Sequence, residues 1–402
     1  MSDTQKHTKP NVPNLRFPGF DEEWRKTHLS QMGDIIGGGT PDTTIAEYWN
    51  GNILWFTPSE VGKEKYVSDS NRKISLEGLK NSSAKNLPKQ SILLSSRATV
   101  GECSINLKEC CTNQGFQSFI PNNSVVSTEF LYYRLLTHKR DFIRKACGST
   151  FLEISARQIA KISSYLPEKR EQDKIASLLS LIDKRISIQS KVIEDLKKLK
   201  AALCTSLFSQ GRTISVALSD VGESFSIMNL SKEDLTDYGA ECILYGELFT
   251  TYGRVIKDVK CHTSIETNGE FTTSGLNDLL FPASTTVDAI SLIAPAAISK
   301  PGVILGGDMF GIRLNAKYNN RYMSNLLYHC YRRELASYAQ GSTIIHLHYR
   351  DIKRIKIAVH PKNIQDYIAD TLDLLDNRIA NEQKMAATYA CQKAYLIGRL
   401  FI

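Results

Sequence analysis

The sequence predicts an α/β protein: two mixed α/β domains joined by two long antiparallel coiled-coil helices, with a pseudo-twofold internal repeat. Three observations predict this fold class. They are a long internal repeat, a mixed strand-and-helix pattern before each copy of it, and apolar residues at helical spacing inside each copy. At 402 residues, the chain is long enough for two or three domains with separate cores.

The internal repeat relates residues 148–208 to residues 341–401 at a constant offset (341 − 148 = 193). Such a long repeat indicates two similar half-molecules, each a variable block followed by a shared block. The identical pairs include Gly148/Gly341, Ser149/Ser342, Thr150/Thr343, Arg157/Arg350, Gln172/Gln365, Asp173/Asp366, Asp183/Asp376, Arg185/Arg378, Leu207/Leu400 and Phe208/Phe401.

The first variable block mixes strand and helix signals, which indicates an α/β or α+β domain. The second block resembles it in layout but diverges strongly in sequence. The signals in the first block are a glycine run at 37–39 that requires a tight turn, short apolar strands at 53–56 and 91–95, an alternating strand at 115–120 and a helix at 130–145.

The shared blocks predict two long helices, 168–210 and 361–402, with a heptad-like apolar seam. A helix of about 40 residues is about 60 Å long and exceeds one small domain. The intervening domain must return the chain to the second helix, so we expect an antiparallel pair. The seam residues that pair the helices or dock a partner are Ile175, Leu179, Ile182, Ile186, Ile193, Leu196, Leu203, Ile368, Leu372, Leu375, Ile379 and Leu396.

The repeat and the two long helices divide the chain into five segments, with one variable block before each long helix. Near the N-terminus, Phe17 and Phe20 flank a Pro-Gly turn and Trp24 follows, which we interpret as an aromatic clip. The clip either closes a local core or docks on a helical element. The predicted segments are 1–27 (lead and clip), 28–167 (first domain), 168–210 (central helix), 211–360 (second domain) and 361–402 (C-terminal helix).

Composition indicates a cytoplasmic globular protein with a modest basic excess. Lys and Arg number 50 against 42 Asp and Glu, a net charge of +8 that suits a polyanionic partner. The N-terminus has no apolar signal region, and no apolar run reaches the length of a membrane span. The nine cysteines lack a C-x-x-C pair, which indicates a reducing compartment. The spacing of Cys103, Cys110 and Cys111 does not fit a zinc finger or ribbon.

Several enzyme signatures are missing from the sequence, so we expect a non-catalytic protein. There is no Pro-Pro pair, as an amino-methyltransferase motif needs, and no phosphate-binding P-loop. Pro41-Asp42 has no nearby acid-x-Lys partner for a metal nuclease. His346-x-His348 lacks a third ligand in sequence, which favours a packing or DNA-facing role over metal binding. We expect no metal site and no cofactor in this chain.

Two diverged blocks on one repeated frame suit recognition of a split DNA site. Each block would read its own short sequence, while the frame fixes their separation. Half-sites about 34–36 Å apart lie on the same face of the duplex, and a rigid spacer can enforce that distance.

The sequence resembles the specificity subunit of type I restriction-modification enzymes. The resemblance implies two target-recognition domains, each reading half of a bipartite double-stranded DNA site. It also implies that the helices bind two adenine methylation subunits, with restriction/translocation subunits further out. S-adenosylmethionine, ATP and Mg²⁺ would belong to those partners. The resemblance is carried by 15–20 with Trp24, the Gly-Ser-Thr motifs at 148–150 and 341–343, the Gln-Asp-x-Ile-Ala motifs at 172–176 and 365–369, and the Asp-x-Arg-Ile motifs at 183–186 and 376–379.

The candidate DNA-binding residues are polar and basic positions near predicted turns. Arg, Asn and Gln can contact base edges in a bidentate way, while Lys mostly contacts phosphate. In the first domain they are Thr40, Lys63, Lys65, Arg72, Lys85, Arg97, Asn113 and Gln114. In the second they are Tyr252, Arg254, Lys257, Lys260, Ser284, Thr285 and His348.

One alternative function comes from a different class of protein. A helical hairpin with two variable modules could instead be an assembly scaffold whose modules bind proteins rather than DNA. DNA binding through several phosphates weakens steeply as salt rises, whereas scaffold binding need not. The salt dependence of binding therefore separates the two hypotheses.

Overall fold

A computed structural model describes residues 11–148, 152–227, 230–265 and 271–402. The chain divides into two compact units. Unit one comprises Met1–Lys191 and Gln383–Ile402, and unit two comprises Val192–Glu382. Ser149 and Thr150 of the first Gly-Ser-Thr motif, and the first ten residues of the predicted lead, lie outside the described residues.

Unit one is built on two sheets and a separate strand pair. Its strands are β1 (Arg25–His28), β2 (Gly33–Gly37), β3 (Trp49–Phe56), β4 (Tyr66–Val67), β5 (Arg72–Ile74), β6 (Ile92–Leu94), β7 (Cys103–Asn106), β8 (Cys110–Thr112), β9 (Gln117–Pro121) and β10 (Ser163–Leu166). The sheet orders are β2-β9-β6-β7-β4 and β5-β3-β8, and β1 pairs with β10. The β4–β7 and β3–β8 pairs are parallel and the other pairs are antiparallel.

The helices of unit one pack on this framework. They are α1 (Leu76–Lys80), α2 (Thr128–Thr137), α3 (Lys139–Lys145), α4 (Ala156–Ala160) and the first part of α5 (Lys169–Ser209). The core contains Ile175 and Leu179 of α5 together with Leu400 and Phe401 at the other end of the chain. Both long helices therefore contribute apolar side chains to one core.

Unit two repeats this arrangement. Its strands are β11 (Ile214–Ala217), β12 (Gly222–Ser226), β13 (Leu235–Thr236), β14 (Ala240–Leu244), β15 (Val255–Ile256), β16 (Cys261–Thr263), β17 (Asp278–Pro282), β18 (Ser284–Thr285), β19 (Ala296–Ile298), β20 (Ile304–Gly306), β21 (Met309–Leu314), β22 (Ile345–His346) and β23 (Lys356–Val359). Its helices are α6 (Glu247–Thr250), α7 (Ala289–Leu292), α8 (Asn320–His329), α9 (Arg332–Ala336), α10 (Tyr349–Ile352) and α11 (Lys362–Leu400).

Among the described residues, the five-stranded sheet of unit two matches that of unit one, whereas its smaller sheet has a fourth strand, β13, and β18 forms a further pair with β22. The orders are β12-β21-β17-β19-β15 and β13-β16-β14-β20, and β11 pairs with β23. The parallel pairs β15–β19 and β14–β20 correspond to β4–β7 and β3–β8. The core of unit two likewise includes Cys204 of α5 with Ile368 and Leu372 of α11. The predicted mixed α/β repeat with two long helices is confirmed.

The identical residues of the repeat have structural causes. The Gln172 amide accepts a bond from Ser127 N at 3.0 Å and donates to the Pro167 carbonyl at 3.1 Å. Its repeat partner Gln365 accepts from Asn319 N at 2.9 Å. Each glutamine therefore holds the turn that leads into α2 or α8 against the start of a long helix.

The glycines that open the Gly-Ser-Thr motifs have left-handed backbones. Gly148 has φ 135° and Gly341 has φ 122°. A Cβ on Gly341 would lie 2.0 Å from the Ile344 carbonyl oxygen. Only glycine suits this turn, which explains the identity at both copies.

The prediction of one helix over 130–145 is wrong, because the segment forms α2 and α3 with a break at His138. The backbone there has φ −86° and ψ 3°. The buried imidazole contacts Asp141 Oδ2 at 2.9 Å through Nδ1 and Ser164 Oγ at 3.1 Å through Nε2. These polar contacts favour the bend over a continuous helix.

The aromatic clip docks on the end of α11, which is one of the two interpretations of its sequence. The rings of Trp24 and Phe401 meet edge-to-face at 6.2 Å between centroids. Leu15 N donates to the Arg399 carbonyl at 2.9 Å, and Phe17 packs at the edge of the same core. Edge-to-face aromatic contacts of this kind stabilise by about 1 kcal/mol beyond their buried area.

Candidate nucleic-acid interface

Several predicted residues of unit one meet at one surface, which we call the first loop cluster (Thr40, Arg97, Thr99, Asn113 and Gln114). The Thr40 hydroxyl donates to Gln114 Oε1. Asn113 Oδ1 accepts from the backbone nitrogen of the residue two positions later, at 2.9 Å. Thr99 Oγ1 donates to the Ser95 hydroxyl at 3.1 Å, within the turn that carries Arg97. Amides, hydroxyls and one guanidinium are thus gathered on a single polar surface.

The glycine run at 37–39 brings Thr40 to this surface. A Cβ on Gly38 would lie 1.9 Å from the Asn113 carbonyl oxygen, so two backbones approach closely there. Gly39 N donates to the Thr112 carbonyl at 2.9 Å, and Trp55 Nε1 donates to the Gly39 carbonyl at 2.9 Å. The prediction of a tight turn is wrong, because Gly37 ends β2 and the chain continues through residue 40 without a turn; the close approach of the two backbones is what holds Thr40 beside Gln114.

Arg97 follows β6 and is held by an ion pair at the surface. Its Nη2 lies 2.5 Å from Glu153 Oε2, and both side chains are about two-fifths exposed. The next residue, Ala98, has a left-handed backbone with φ 63°. Because the carboxylate fixes the guanidinium while leaving part of it exposed, Arg97 is oriented and still accessible.

Unit two has a corresponding surface, which we call the second loop cluster (Thr285, Asp308, His346 and His348); the predicted Ser284 pairs with His346 but is buried. The two surfaces share backbone hydrogen bonds at matching positions. Ala283 N donates to the Asp308 carbonyl at 2.8 Å, as Ser96 N donates to the Gly115 carbonyl at 2.8 Å. The imidazoles of His346 and His348 stack with 6.1 Å between centroids. His346 Nδ1 lies 3.7 Å from Asp308 Oδ2.

Lys63, Arg72, Lys85 and Lys260 lie at exposed positions, and so does Lys257, whose ammonium contacts α11. The Arg72 guanidinium lies 3.7 Å from the centre of the Trp49 ring. Lys260 immediately precedes β16, the strand that corresponds to β5, and its backbone nitrogen donates to the Tyr252 hydroxyl at 3.0 Å. Both units therefore place a cation at corresponding strands of the smaller sheet, although β16 is an inner strand that also pairs with β13.

Lys65 has internal partners within unit one. Its Nζ donates to Tyr133 Oη at 3.0 Å and to Ser180 Oγ of α5 at 2.6 Å, and it forms an ion pair with Glu129. Burial lowers the pKa of the Lys65 ammonium, against the opposing effect of Glu129. Its charge is therefore used to hold the domain on the helix.

Arg254 occupies the matching position in unit two. It donates to the Pro295 carbonyl at 2.8 Å and stacks on the Tyr328 ring at 4.2 Å. Burial lowers the pKa of its guanidinium to about 10. Nearby, Lys257 Nζ donates to Asn377 Oδ1 of α11 at 2.6 Å. Arg254 is thus held within the second domain by Pro295 and Tyr328, and Lys257 contacts α11.

The predicted helical seam is buried most deeply near the cores. Ile175, Leu179, Ile182, Ile368, Leu372 and Ile379 are buried, whereas Ile186, Ile193, Leu196, Leu203, Leu375 and Leu396 are partly buried. In unit one the Arg185 guanidinium lies 5.3 Å from the Tyr389 ring centre, and in unit two Lys200 forms an ion pair with Asp376. Within each unit, the two helices run antiparallel.

Two repeat-related leucines of the long helices point away from the seam. Leu181 is 64% exposed and Leu374 is 71% exposed. They occupy the same position in the two copies of the repeat, since 374 − 181 = 193. Ile188 and Leu199 of α5 and Tyr367 and Met385 of α11 are exposed as well, so each long helix carries several exposed apolar side chains and is a candidate docking surface.

The sequence analysis missed Trp49, Glu153 and Asp308. Trp49 carries no motif, and its stacking on Arg72 depends on strand pairing that no local pattern reveals. Glu153 and Asp308 carry no motif either, because their contacts with Arg97 and His346 join residues far apart in the sequence. Within the described ranges, no group of three His, Cys, Asp or Glu side chains is arranged to hold a metal ion. No helix in those ranges is long and apolar enough to cross a membrane.

The model of one protein family, described as the type I restriction modification DNA specificity domain, matches residues 21–198 and again residues 215–388. The chain belongs to this family. The two matches fall on the two copies of the domain-plus-helix arrangement. The first loop cluster lies in the first matched region and the second loop cluster lies in the second. The two clusters are therefore corresponding surfaces of two domains of the same family.

Curated relatives and solved structures are similar to the chain to different extents. It is 36% identical over 191 residues to the type I restriction enzyme MjaIX specificity subunit of Methanocaldococcus jannaschii, covering 46% of this chain and 44% of that protein. It is 28% identical over 176 residues to the EcoR124I/EcoR124II specificity subunit of Escherichia coli, covering 42% and 43%. The chain thus spans less than half the length of these curated relatives.

Two solved structures share the fold over nearly the whole chain. The type I restriction-modification S subunit from M. genitalium superposes with a TM-score of 0.62 at 17% identity, covering 97% of this chain and 99% of that one. A chain from a structure on complex assembly and conformational transition of the type I R-M system gives 0.58 at 13% identity, covering 95% and 98%. At these identities, the likeness establishes the fold.

Proposed function

We propose that this protein is the DNA sequence-specificity subunit of a type I restriction-modification complex and is itself non-catalytic. The observation that carries the proposal is the double match to the DNA specificity family, one match for each half of the repeat. Each recognition domain, 28–167 and 211–360, reads one half of a bipartite DNA site. The basic excess of the chain favours this polyanionic partner.

The loop clusters are the parts of the domains best suited to read bases. In the first, Gln114, Asn113 and Arg97 have the side-chain types that form bidentate contacts with adenine or guanine. The Thr40 hydroxyl and the Glu153 carboxylate hold two of these groups in place. Because the side chains are already oriented, less conformational entropy is lost on binding.

The second loop cluster reads the other half-site with a different set of groups. Thr285 offers a hydroxyl, and His348 offers an exposed imidazole stacked on His346, whereas Ser284 is buried. The two clusters occupy corresponding positions but differ in chemistry. This difference supports two unlike half-sites.

The remaining exposed cations, Lys63, Lys85 and Lys260, are assigned to the DNA backbone. Lysine is a point charge that suits phosphate more than a base edge. Lys65 and Arg254 remain candidates from the sequence, but the contact of Lys65 with Ser180 favours a role in fixing the first domain on α5, and the stacking of Arg254 on Tyr328 favours packing inside the second domain.

The long helices, 168–210 and 361–402, set the spacing of the half-sites and dock two methylation subunits. The buried seam pairs the helices, and the exposed Leu181 and Leu374 supply one equivalent apolar contact for each subunit. Restriction/translocation subunits join the same complex. S-adenosylmethionine, ATP and Mg²⁺ are bound by those partners, and the complex acts in the cytoplasm, where its DNA is.

Methylome sequencing of the host with and without the gene tests this proposal. A split, asymmetric adenine-methylated motif should be present with the gene and absent without it. Complementation with the intact gene should restore the same motif. If no such motif disappears on deletion, the proposed function is wrong.

A further inference from the structure

A polar pocket of about 600 Å³ opens on unit one beside β3 and β5. Its walls include the Trp49 indole, the amides of Asn50 and Asn71, and the cations Arg72 and Lys73. The lining contains no Asp or Glu. Hydrogen-bond donors and positive charge therefore dominate a concave surface of the first recognition domain.

The pocket is formed by an irregularity in the strand pairing. Trp49 and Ile53 both lie opposite Ile74, so the β3–β5 register shifts between them. The intervening Asn50 has a left-handed backbone with φ 58°. A bulge of this kind bends a strand and re-aims its side chains, which here places Trp49 and Asn50 on the pocket wall.

Arg72 is held in place by a fixed aromatic platform. Trp49 Nε1 donates to the Asp42 carbonyl at 3.0 Å, and the Trp49 and Trp55 rings meet edge-to-face at 5.1 Å. The Arg72 guanidinium lies 3.7 Å from the centre of the Trp49 ring. Stacking on an aromatic face leaves the N–H edge of a guanidinium available for hydrogen bonds.

The two cations of the pocket are not equivalent. Lys73 Nζ lies 3.2 Å from Asp69 Oδ1, so its charge has a carboxylate partner. Among the described residues, no carboxylate or other acceptor is found for the Arg72 guanidinium. Arg72 is thus an oriented, exposed cation whose hydrogen-bond donors await an external acceptor.

The shape of the pocket distinguishes a phosphate from a base edge. Base edges lie recessed in the grooves of a duplex and are reached by protruding side chains. Phosphate groups are the outermost part of the duplex, so they can enter a cleft. We propose that the pocket formed by Trp49, Asn50, Asn71 and Arg72 binds a phosphodiester group of the DNA next to the first half-site. This inference rests on the proposed function and assigns Arg72 to the backbone instead of to a base.

Salt-dependent DNA binding by the full-length protein tests the inference. Fluorescence anisotropy is measured from 50 to 300 mM NaCl with two duplexes, one carrying the methylated motif of the host and one with that motif scrambled. The variants are Arg72→Gln and Arg72→Lys. Arg140→Gln is the matched control, because Arg140 is an exposed arginine of unit one outside the pocket. Thermal unfolding checks that each variant is folded.

If Arg72 contacts a phosphate, its substitution should weaken DNA binding to the same extent whatever the base sequence of the duplex. Arg72→Gln should weaken binding of both duplexes by a similar factor, about tenfold, because one charge-assisted hydrogen-bonded contact is lost. The slope of log K against log salt should fall by about 0.9. Arg72→Lys should keep the slope and lose less affinity, and Arg140→Gln should behave as wild type. The methylated motif should be unchanged in all variants.

Other outcomes overturn the inference in recognisable ways. If Arg72→Gln binds both duplexes as tightly as the wild type and still prefers the motif duplex, the pocket is not a phosphate site. The proposed function is unaffected by that result. A loss confined to the motif duplex, with a relaxed methylated motif, would make Arg72 a base-reading residue. If the wild-type protein binds neither duplex, the proposed function fails and the inference fails with it.

Discussion

Lys393 of α11 forms an ion pair with Asp183 of α5, with 2.6 Å between Nζ and Oδ1. The repeat produces the same pair again with the helices exchanged, because Lys200 of α5 lies 2.6 Å from Asp376 of α11. The first pair lies within unit one and the second within unit two. Each copy of the repeat thus supplies the acid for one unit and the base for the other.

Removing one partner of such a pair should destabilise the protein. The Asp183 and Lys393 side chains are only 17% and 22% exposed, so a charge left alone there loses both water and its partner. We expect Asp183→Asn and Lys200→Met each to lower the free energy of unfolding by about 1–3 kcal/mol in urea denaturation. Lys198→Met is the control, because its pair with Glu194 is exposed. Equal effects at Lys198 would contradict a special role for the interhelical pairs.

The architecture was largely predictable because its signal is long and periodic. The heptad-like spacing of Ile175, Leu179 and Ile182 predicted α5, and the constant repeat offset predicted the second copy. The break at His138 was not predictable, because it depends on Asp141 and Ser164, one of which is distant in sequence. The apolar residues keep their helical spacing on both sides of His138, so the sequence pattern predicts one continuous helix.

The exposed leucines of the long helices yield a stoichiometry prediction. If Leu181 and Leu374 each contact one methylation subunit, a charge at one position should remove one subunit only. We expect Leu181→Glu and Leu374→Glu complexes to carry one methylation subunit in native mass spectrometry, and the double variant to carry none. Leu276→Glu, at a position 72% exposed in unit two, is the control. Retention of both subunits by the double variant would place docking elsewhere.

The two loop clusters should control the two halves of the motif separately. Gln114→Ala should relax one position of one half-site, and His348→Ala one position of the other. A lost base contact reduces discrimination by about 1–3 kcal/mol. Methylome sequencing reads both halves in one experiment. Exchange of residues 28–167 for another recognition domain should replace one half of the motif completely, and a change in both halves would exclude two independent readers.

The candidate site was less predictable than the fold, for a physical reason. Residue type identifies which side chains can contact DNA, but a contact also requires that the group face outward. Lys63 and Lys65 are two residues apart and chemically identical, yet Lys63 is exposed and Lys65 donates to Tyr133 and Ser180. That difference arises from packing against α5, which lies more than 100 residues further along the chain.

This contrast gives a paired prediction for the two lysines. Lys65→Met should lower the free energy of unfolding by about 1–3 kcal/mol, because Glu129 loses its partner in a partly buried setting. Lys63→Met should leave stability within about 0.5 kcal/mol of wild type. In DNA binding, Lys63→Met should reduce the salt slope by about 0.9, whereas Lys65→Met should not. The reverse pattern would make Lys65 the phosphate contact.

His329 of α8 should make the stability of the protein depend on pH. Desolvation by the surrounding protein is the first cause that lowers its pKa from 6.5 to about 4, although the residue stays exposed at the surface; Lys200, Arg254 and Arg332 lower the pKa further against the opposing charge of Asp376. Between pH 6.5 and pH 4 the unfolded chain therefore binds a proton on His329 that the folded protein does not. Stability should fall as the pH drops through this window, by up to about 1 kcal/mol, because solvent screens an exposed imidazole. Urea denaturation at pH 7, 5.5 and 4.5 should show a smaller fall for His329→Gln than for wild type. The exposed control His348→Gln should fall as wild type does, and an equal fall for His329→Gln would contradict the prediction.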